Sequence, residues 1–232
     1  MVEITWLGHS TFQLRLASGE VVVTDPWVEG NPSYPAGHSF DRLDVLLLSH
    51  GHFDHSGDAV RLARQFAPQV VAIYEIGHWM ESAGVSNVNS MNKGGSLQVG
   101  PLTVTMTHAI HSSAMLDGGH LVYGGEPAGF VLRFADGRSA YFAGDTTVFS
   151  DMALIRELYE PELCFLPIGD RFTMGARTAS LAVKRYFKLD AVIPCHYGSF
   201  PIIDPTADKF VAEMKGHTTK AIVPDKGKPV QV

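Results

Sequence analysis

Apolar residues in this chain fall into two spacings, and their alternation maps out the elements. Val2 to Leu7, Phe12 to Leu16 and Val21 to Thr24 read as short strands, the last two joined across the hairpin signal Ser18-Gly19. Residues 44–49, Asp-Val-Leu-Leu-Leu-Ser, form an unbroken apolar run of the kind found in strands buried on both faces. A helix is expected over Asp58 to Phe66, where Val60, Leu62, Ala63 and Phe66 recur at helical spacing. Further on, the pattern predicts a buried strand at Val70 to Tyr74, a helix over Glu75 to Ala83, and paired strands around Gly100-Pro101 within Leu97 to Met106. A second hairpin joins Phe130 to Phe134 with Ser139 to Ala143 across Asp136-Gly137. Helices follow over Asp151 to Tyr159, Thr178 to Phe187 and Thr206 to Met214, with buried strands at Leu163 to Leu166 and Ala191 to Pro194. Strands that pass repeatedly into helices predict a mixed α/β fold.

The chain also resembles itself. Phe12-Gln-Leu-Arg-Leu-Ala-Ser-Gly19 and Phe130-Val-Leu-Arg-Phe-Ala-Asp-Gly137 agree at five of eight positions, 118 residues apart. At the same offset of 118, Asp44-Val-Leu-Leu-Leu-Ser-His-Gly-His52 lies over Glu162-Leu-Cys-Phe-Leu-Pro-Ile-Gly-Asp170, apolar opposite apolar, with a polar loop closing each. Two matches at one offset predict two related halves, with equivalent strand ends after Ser49 and Leu166 and a site fed by loops from both. No linker or low-complexity tract interrupts the sequence, so a single domain over residues 1–232 is expected.

Composition narrows the functional classes. With 45% hydrophobic and 18% charged residues the chain has a full core, and 18 Lys plus Arg against 24 Asp plus Glu leaves no basic excess for a polyanion backbone. Nucleic acid is therefore not the expected partner. Two cysteines, Cys164 and Cys195, cannot build a disulfide scaffold, and MVEITWLGHS lacks the basic flank and apolar run of a secretory signal, so a cytoplasmic location is expected. The apolar runs fall well short of the roughly 20 residues of an integral membrane segment. A homo-oligomer is left open.

Histidine is abundant, with 11 residues, and its placement carries the chemistry. His50-Gly51-His52-Phe53-Asp54-His55 packs three imidazoles and a carboxylate directly behind the buried strand Val45 to Leu48. A turn there aims His50 and His52 at one point, while Asp54 and His55 address a second point beyond the bend. Burying four ionisable groups together without a counter-ion is costly, and borderline metals such as zinc accept imidazole and carboxylate ligands, so the spacing points to a metal pair whose shells are completed from elsewhere.

The pattern His50-x-His52-x-Asp54-His55 after an apolar strand resembles the hallmark of the metallo-β-lactamase superfamily. Ala143-Gly-Asp-Thr146 resembles its segment for a bridging aspartate, and Pro194-Cys-His-Tyr-Gly198 the one for its last histidine. Leu7-Gly-His-Ser10, Thr24-Asp-Pro26, His111-Ser-Ser113, Pro167-Ile-Gly169, Phe172-Thr-Met-Gly175 and His196-Tyr-Gly-Ser-Phe-Pro201 resemble the small bacterial and archaeal branch of metal-dependent hydrolases, related to ascorbate-phosphate lactonase and N-acyl-phosphatidylethanolamine phospholipase D. Asp170-Arg171 departs from that pattern. The resemblance implies a four-layer αββα sandwich of two pseudo-symmetric halves. It further implies two divalent metals, zinc first with manganese, iron or nickel as alternatives. One metal would take His50, His52 and a third histidine, the other Asp54, His55 and His196, with Asp145 touching both. Loop placement and the His-Ser-Ser match favour His111 over His108 for the third histidine; Asp145 as a plain helix cap is the competing reading of that residue.

The implied chemistry is hydrolysis in which a metal-bridged hydroxide attacks an ester, lactone, amide or phosphodiester bond of a small-molecule substrate. Asp54 or a metal-bound water would handle the proton, and His9 joins Asp54 as a candidate catalytic residue, with Asp25 close by. Tyr34, Phe53, Phe172, Met174, Tyr197 and Phe200 are candidates to line an apolar pocket, and Arg171 and Arg177 to meet an anion. His38, His78, His120 and His217 carry no motif and read as surface or packing residues. The competing classes are a metal-binding regulatory module without turnover and a di-iron redox protein.

Overall fold

In the computed structural model, which describes residues 2–232, the chain divides into two compact units. The first takes in the chain up to Lys93 together with Ser112–Pro127 and Pro224–Val232; the second takes Gly94–His111 and Ala128–Val223.

The first unit is built on strands β1 (Glu3–Trp6), β2 (Phe12–Arg15), β3 (Val21–Thr24), β4 (Val45–Leu48), β5 (Gln69–Ile73) and β6 (Val88–Met91), with helices α1 (Phe53–Ser56), α2 (Ala59–Phe66) and α3 (Tyr74–Ser82). Its sheet also includes β16 (Pro229–Gln231), giving the order β16-β1-β2-β3-β4-β5-β6. Strands β1 to β3 are antiparallel, and β3, β4, β5 and β6 run parallel. Every residue of β3 and β4 is buried, which for β4 is why it reads as an unbroken apolar run. Helix α2 buries Ala59, Leu62 and Ala63 and stops where Ala67 turns left-handed. A two-stranded hairpin, β9 (Ala114–Asp117) and β10 (His120–Tyr123), completes the unit.

The second unit contains β7 (Ser96–Val99), β8 (Leu102–His108), β11 (Ala128–Arg133), β12 (Ser139–Phe142), β13 (Leu163–Pro167), β14 (Ala191–Cys195) and β15 (Lys220–Ala221). These make a seven-stranded sheet in the order β15-β14-β13-β12-β11-β8-β7. Its helices are α4 (Met152–Tyr159), α5 (Ala176–Tyr186) and α6 (Asp208–Met214). Here too the first strands are antiparallel and β12 through β15 parallel.

The two units repeat each other residue for residue over their first strands. Phe12 faces Thr24 and Phe130 faces Phe142; Val22 faces Val45 and Ala140 faces Leu163; each member is displaced by the same 118 positions. Loop hydrogen bonds follow: Leu16 N donates to Glu20 O at 2.9 Å and Phe134 N to Arg138 O at 2.9 Å. Likewise Asp25 N donates to Leu47 O at 2.9 Å, and Ala143 N to Phe165 O at 3.1 Å. The halves are thus pseudo-symmetric in topology and register.

Most expected elements form within a residue or two of their sequence-based bounds. The one-turn helix α1, the half-exposed strand β6, the hairpin β9–β10 and the short edge strands β15 and β16 were not anticipated. Among the described residues, no helix is long and apolar enough to cross a membrane.

The duplicated hairpins make a quantitative prediction. Gly19 and Gly137 both hold left-handed backbone, φ 99 and 89, with nothing within 4 Å of where a Cβ would stand. Substituting either by Ala then costs backbone strain alone, about 1–2 kcal/mol, or a few degrees in melting temperature. The two costs should agree and add in the double variant; thermal melts differing by more than about 1 kcal/mol would show that the turns are not equivalent.

Candidate metal centre

In the first unit the chemistry gathers at the carboxyl end of β4, where a parallel sheet collects its functional loops. His50 and His55 are shut off from solvent, and the Asp54 side chain is 13% exposed. The tight turn between His50 and His52 requires Gly51, because a Cβ there would stand 2.9 Å from Met115 and 3.0 Å from the backbone of Ala114 on β9. Ser113 clamps the same turn, accepting from Gly51 N at 3.1 Å and donating to Gly124 O at 3.0 Å. Ser112 reaches His52 Nε2 at 3.4 Å. The two serines of the His-Ser-Ser segment therefore hold the histidine turn.

Proton logic fixes the ring nitrogens. Asp25, fully buried, accepts from Ser49 N at 2.7 Å and from Ser49 Oγ at 2.5 Å. With its hydroxyl hydrogen committed to Asp25, Ser49 Oγ accepts from His50 Nδ1 at 3.0 Å. His55 Nδ1 donates to Asp25 Oδ2 at 2.7 Å. Both rings thus carry their hydrogen on Nδ1 and present the Nε2 lone pair, the form in which imidazole binds a metal. His50 Nε2 lies 3.0 Å from His52 Nδ1, a spacing suited to a shared proton or a shared cation. Burial pushes the Asp25 carboxyl up, opposed by the His55 charge and its hydrogen bonds with His55 and Ser49.

His9 Nε2 lies 3.1 Å from Asp54 Oδ2, and one ligand atom each from His9, Asp54 and His55 falls within 4.8 Å of the others. The His9 ring stands edge-on to Trp27 and to His55, with centroids 5.1 and 5.3 Å away.

The second unit carries its own cluster. Asp145, on the loop after β12, is 2% exposed; its Oδ2 lies 2.9 Å from His196 Nε2 and 3.6 Å from His111 Nε2. It caps no helix, since α4 begins at Met152 with Asp151 at its cap. Thr146 ties the loops together: its Oγ1 accepts from Ile110 N at 3.0 Å, and Thr147 N donates to Ile110 O at 3.1 Å. His111 is thereby set beside Asp145, whereas His108 ends β8, exposed, with its ring edge-on to Phe149. His196 turns left-handed (φ 58) over Gly169, where a Cβ would collide with its carbonyl oxygen at 1.9 Å.

The other residues singled out from sequence are scattered. Phe53 and Phe172 are about half exposed, while Met174 and Tyr197 are buried. Arg171 lies over the Phe172 ring at 5.6 Å, on a loop where Asp170 and Arg171 both turn left-handed. Arg177 lies on α5. His78 and His120 are exposed, and His217 accepts from Thr219 N. Tyr34, His38 and Phe40 pack edge to edge. Cys164 and Cys195 are buried in β13 and β14, and burial pushes the Cys164 thiol up. Sequence reasoning missed Ser49, Trp27 and Gly169 as supports of the clusters; of these only Gly169 lay in a segment with a signal, the Pro167-Ile-Gly169 match.

Each cluster joins imidazole nitrogens to a carboxylate, a set that fits zinc or another borderline divalent metal. Known proteins agree. Residues 20–197 match the model of the beta-lactamase superfamily domain. A UPF0173 metal-dependent hydrolase of Solibacter usitatus is 55% identical over 99% of this chain and 100% of its own length. One from Koribacter versatilis is 46% identical over 94% of this chain and 95% of its own. Among solved structures, the metallo hydrolase Igni18 of the archaeon Ignicoccus hospitalis aligns with TM-score 0.86 and 30% identity, covering 99% of this chain and 97% of that one. The diiron β-hydroxylase CmlA of Streptomyces venezuelae shares the fold at TM-score 0.76 and 16% identity, with this chain covering 54% of its length. The chain therefore belongs to the UPF0173 metal-dependent hydrolases, within the metallo-β-lactamase superfamily.

Proposed function

We propose that this hydrolase cleaves an ester, lactone, amide or phosphodiester bond of a small molecule, using two divalent metals, with zinc the first choice. His50, His52 and His111 would hold one metal and Asp54, His55 and His196 the other, with the Asp145 carboxylate available to both. One observation carries the reading: Asp25 and Ser49 lock His50 and His55 in the tautomer that offers Nε2. Buried imidazoles prepared in this way are ligands rather than titrating bases. When bound, the metals supply an activated water and a Lewis acid for the substrate's carbonyl or phosphoryl oxygen.

The chain's own residues do the rest. Asp54 takes the proton released on attack; its side chain keeps some contact with solvent, through which the proton leaves. His9 acts with Asp54, at 3.1 Å. The buried histidines His50 and His55 would not do this work, because Nδ1 already carries a hydrogen held by Ser49 or Asp25 and a bound metal would occupy the Nε2 lone pair. A cytoplasmic location belongs to the same proposal.

The first test is metal content. Purified, reconstituted protein should hold close to two equivalents by elemental analysis, and one or fewer would defeat the dinuclear reading. Metal at about 100 times its dissociation constant should stabilise the fold by about 2.7 kcal/mol, so an unchanged melting temperature on chelation counts against it. Iron as the native metal, with a redox-active spectrum and no hydrolysis across an ester, lactone and phosphodiester panel, would favour the di-iron alternative.

His111→Ala should lose metal and activity, while His108→Ala, at an exposed strand end, should leave both close to wild type. The reverse pattern would transfer the ligand role to His108.

Asp145→Asn should lower turnover roughly tenfold or more, each tenfold being about 1.4 kcal/mol of barrier, while the melting temperature of the metal-free protein moves little. An amide is nearly the same size but neutral, and only its oxygen coordinates well. Wild-type turnover with both metals retained would rule out the shared carboxylate.

A further inference from the structure

Asp54 and His55 are neighbours in sequence, yet each is met by a different buried side chain from a different turn. His55 has Asp25, which accepts its Nδ1 hydrogen at 2.7 Å; Asp54 has His9, whose Nε2 lies 3.1 Å from Oδ2. Both partners are completely buried, and both hold left-handed backbone without being glycine, φ 52 at His9 and 41 at Asp25. Such backbone costs free energy in a residue other than glycine, and it persists where the surroundings impose it.

The imposing contacts are dense. Trp6 Nε1 donates to His9 O at 3.0 Å, and Trp27 stands edge-on to the His9 ring. Thr11 links the two turns: its N donates to Gly8 O at 3.0 Å, and its hydroxyl donates to Asp25 O at 2.7 Å and accepts from Trp27 N at 3.1 Å. Gly8 admits no side chain, since a Cβ would stand 2.6 Å from Ser33 O. Thr11 thus ties the turn that carries His9 to the turn that carries Asp25.

We propose that His9 is a positioning residue for Asp54. Its Nε2–H donates to Oδ2 and fixes the orientation in which the carboxylate would meet a metal. His9 then complements Asp25: the imidazole ligand is oriented by a carboxylate, and the carboxylate ligand by an imidazole. A donor is what the Asp54 carboxylate, only 13% exposed, requires at Oδ2, and a histidine supplies one where an apolar ring would not.

The inference rests on the dinuclear reading, and the test separates the two. Zinc and cobalt(II) affinities are measured by chelator competition, with the melting temperature of the metal-free protein, for wild type, His9→Asn and His9→Gln. Asparagine accepts left-handed backbone but is too short to reach Asp54; glutamine places an amide nitrogen at about the reach of Nε2. His9→Asn should bind one of two metals about 10–100-fold less tightly while melting near wild type when metal-free, and His9→Gln should recover most of that loss. In an Asp54→Ala background, His9→Asn should change metal affinity no further, whatever its effect on folding. Undiminished affinity in His9→Asn, no recovery in His9→Gln, or an undiminished His9→Asn effect without Asp54 would each overturn the proposal. Wild type that takes up no metal would overturn the dinuclear reading itself.

Discussion

A carboxylate closed off from water is stable only when its oxygens are fully hydrogen-bonded, and in the first half of this protein that demand falls on Asp25. It is met entirely by Ser49 and His55. Because Asp25 directly follows β3 and Ser49 directly follows β4, meeting the demand fixes how the two parallel strands align, with Thr24 opposite Leu47. The same contacts decide which nitrogen of two imidazoles carries a hydrogen. Strand register and imidazole tautomer are one constraint: sliding β4 by a residue would part Ser49 from Asp25 and leave a buried carboxylate short of donors.

The duplication shows which parts of this arrangement belong to the fold and which to the chemistry. At the shared offset, Asp25 corresponds to Ala143, His50 to Ile168 and His52 to Asp170. What both copies keep is the glycine, Gly51 and Gly169, each packed where a Cβ would collide with a neighbour. The tight turn after the central parallel strand is therefore architectural, and the side chains on it have diverged. The second half gathers its imidazole–carboxylate cluster from three other loops, those of His111, Asp145 and His196.

Much of this was legible because it is local. The buried runs at β4, β13 and β14 announce themselves, and six consecutive residues, His50 to His55, carry most of one cluster. What escaped reading is mostly non-local. β16 exists only because residues more than 200 positions away offer it β1, and nothing in Lys228-Pro-Val-Gln231 signals that pairing. Ser49 as an orienting group has the same character, since its importance depends on Asp25 arriving 24 residues earlier in the chain. The hairpin β9–β10 is different: Gly118-Gly119 between Ala-Met-Leu-Asp and His-Leu-Val-Tyr is a two-residue loop signal, but with Leu121 and Tyr123 exposed it buries little and offers no amphipathic pattern.

Coincident register has a consequence for how the chain finds its fold. Strand β4 is offered two templates of the same pattern, β3 and its copy β12, and only one is right. Native pairing joins Val22 to Val45, closing a loop of 23 residues; the exchanged pairing would join Val45 to Ala140, 95 residues away. Loop-closure entropy favours the nearer partner by about 1.3 kcal/mol, close to a tenfold preference before any side chain has packed. Chain connectivity thus keeps the halves from trading strands, and lengthening the segment between β3 and β4 would weaken that safeguard.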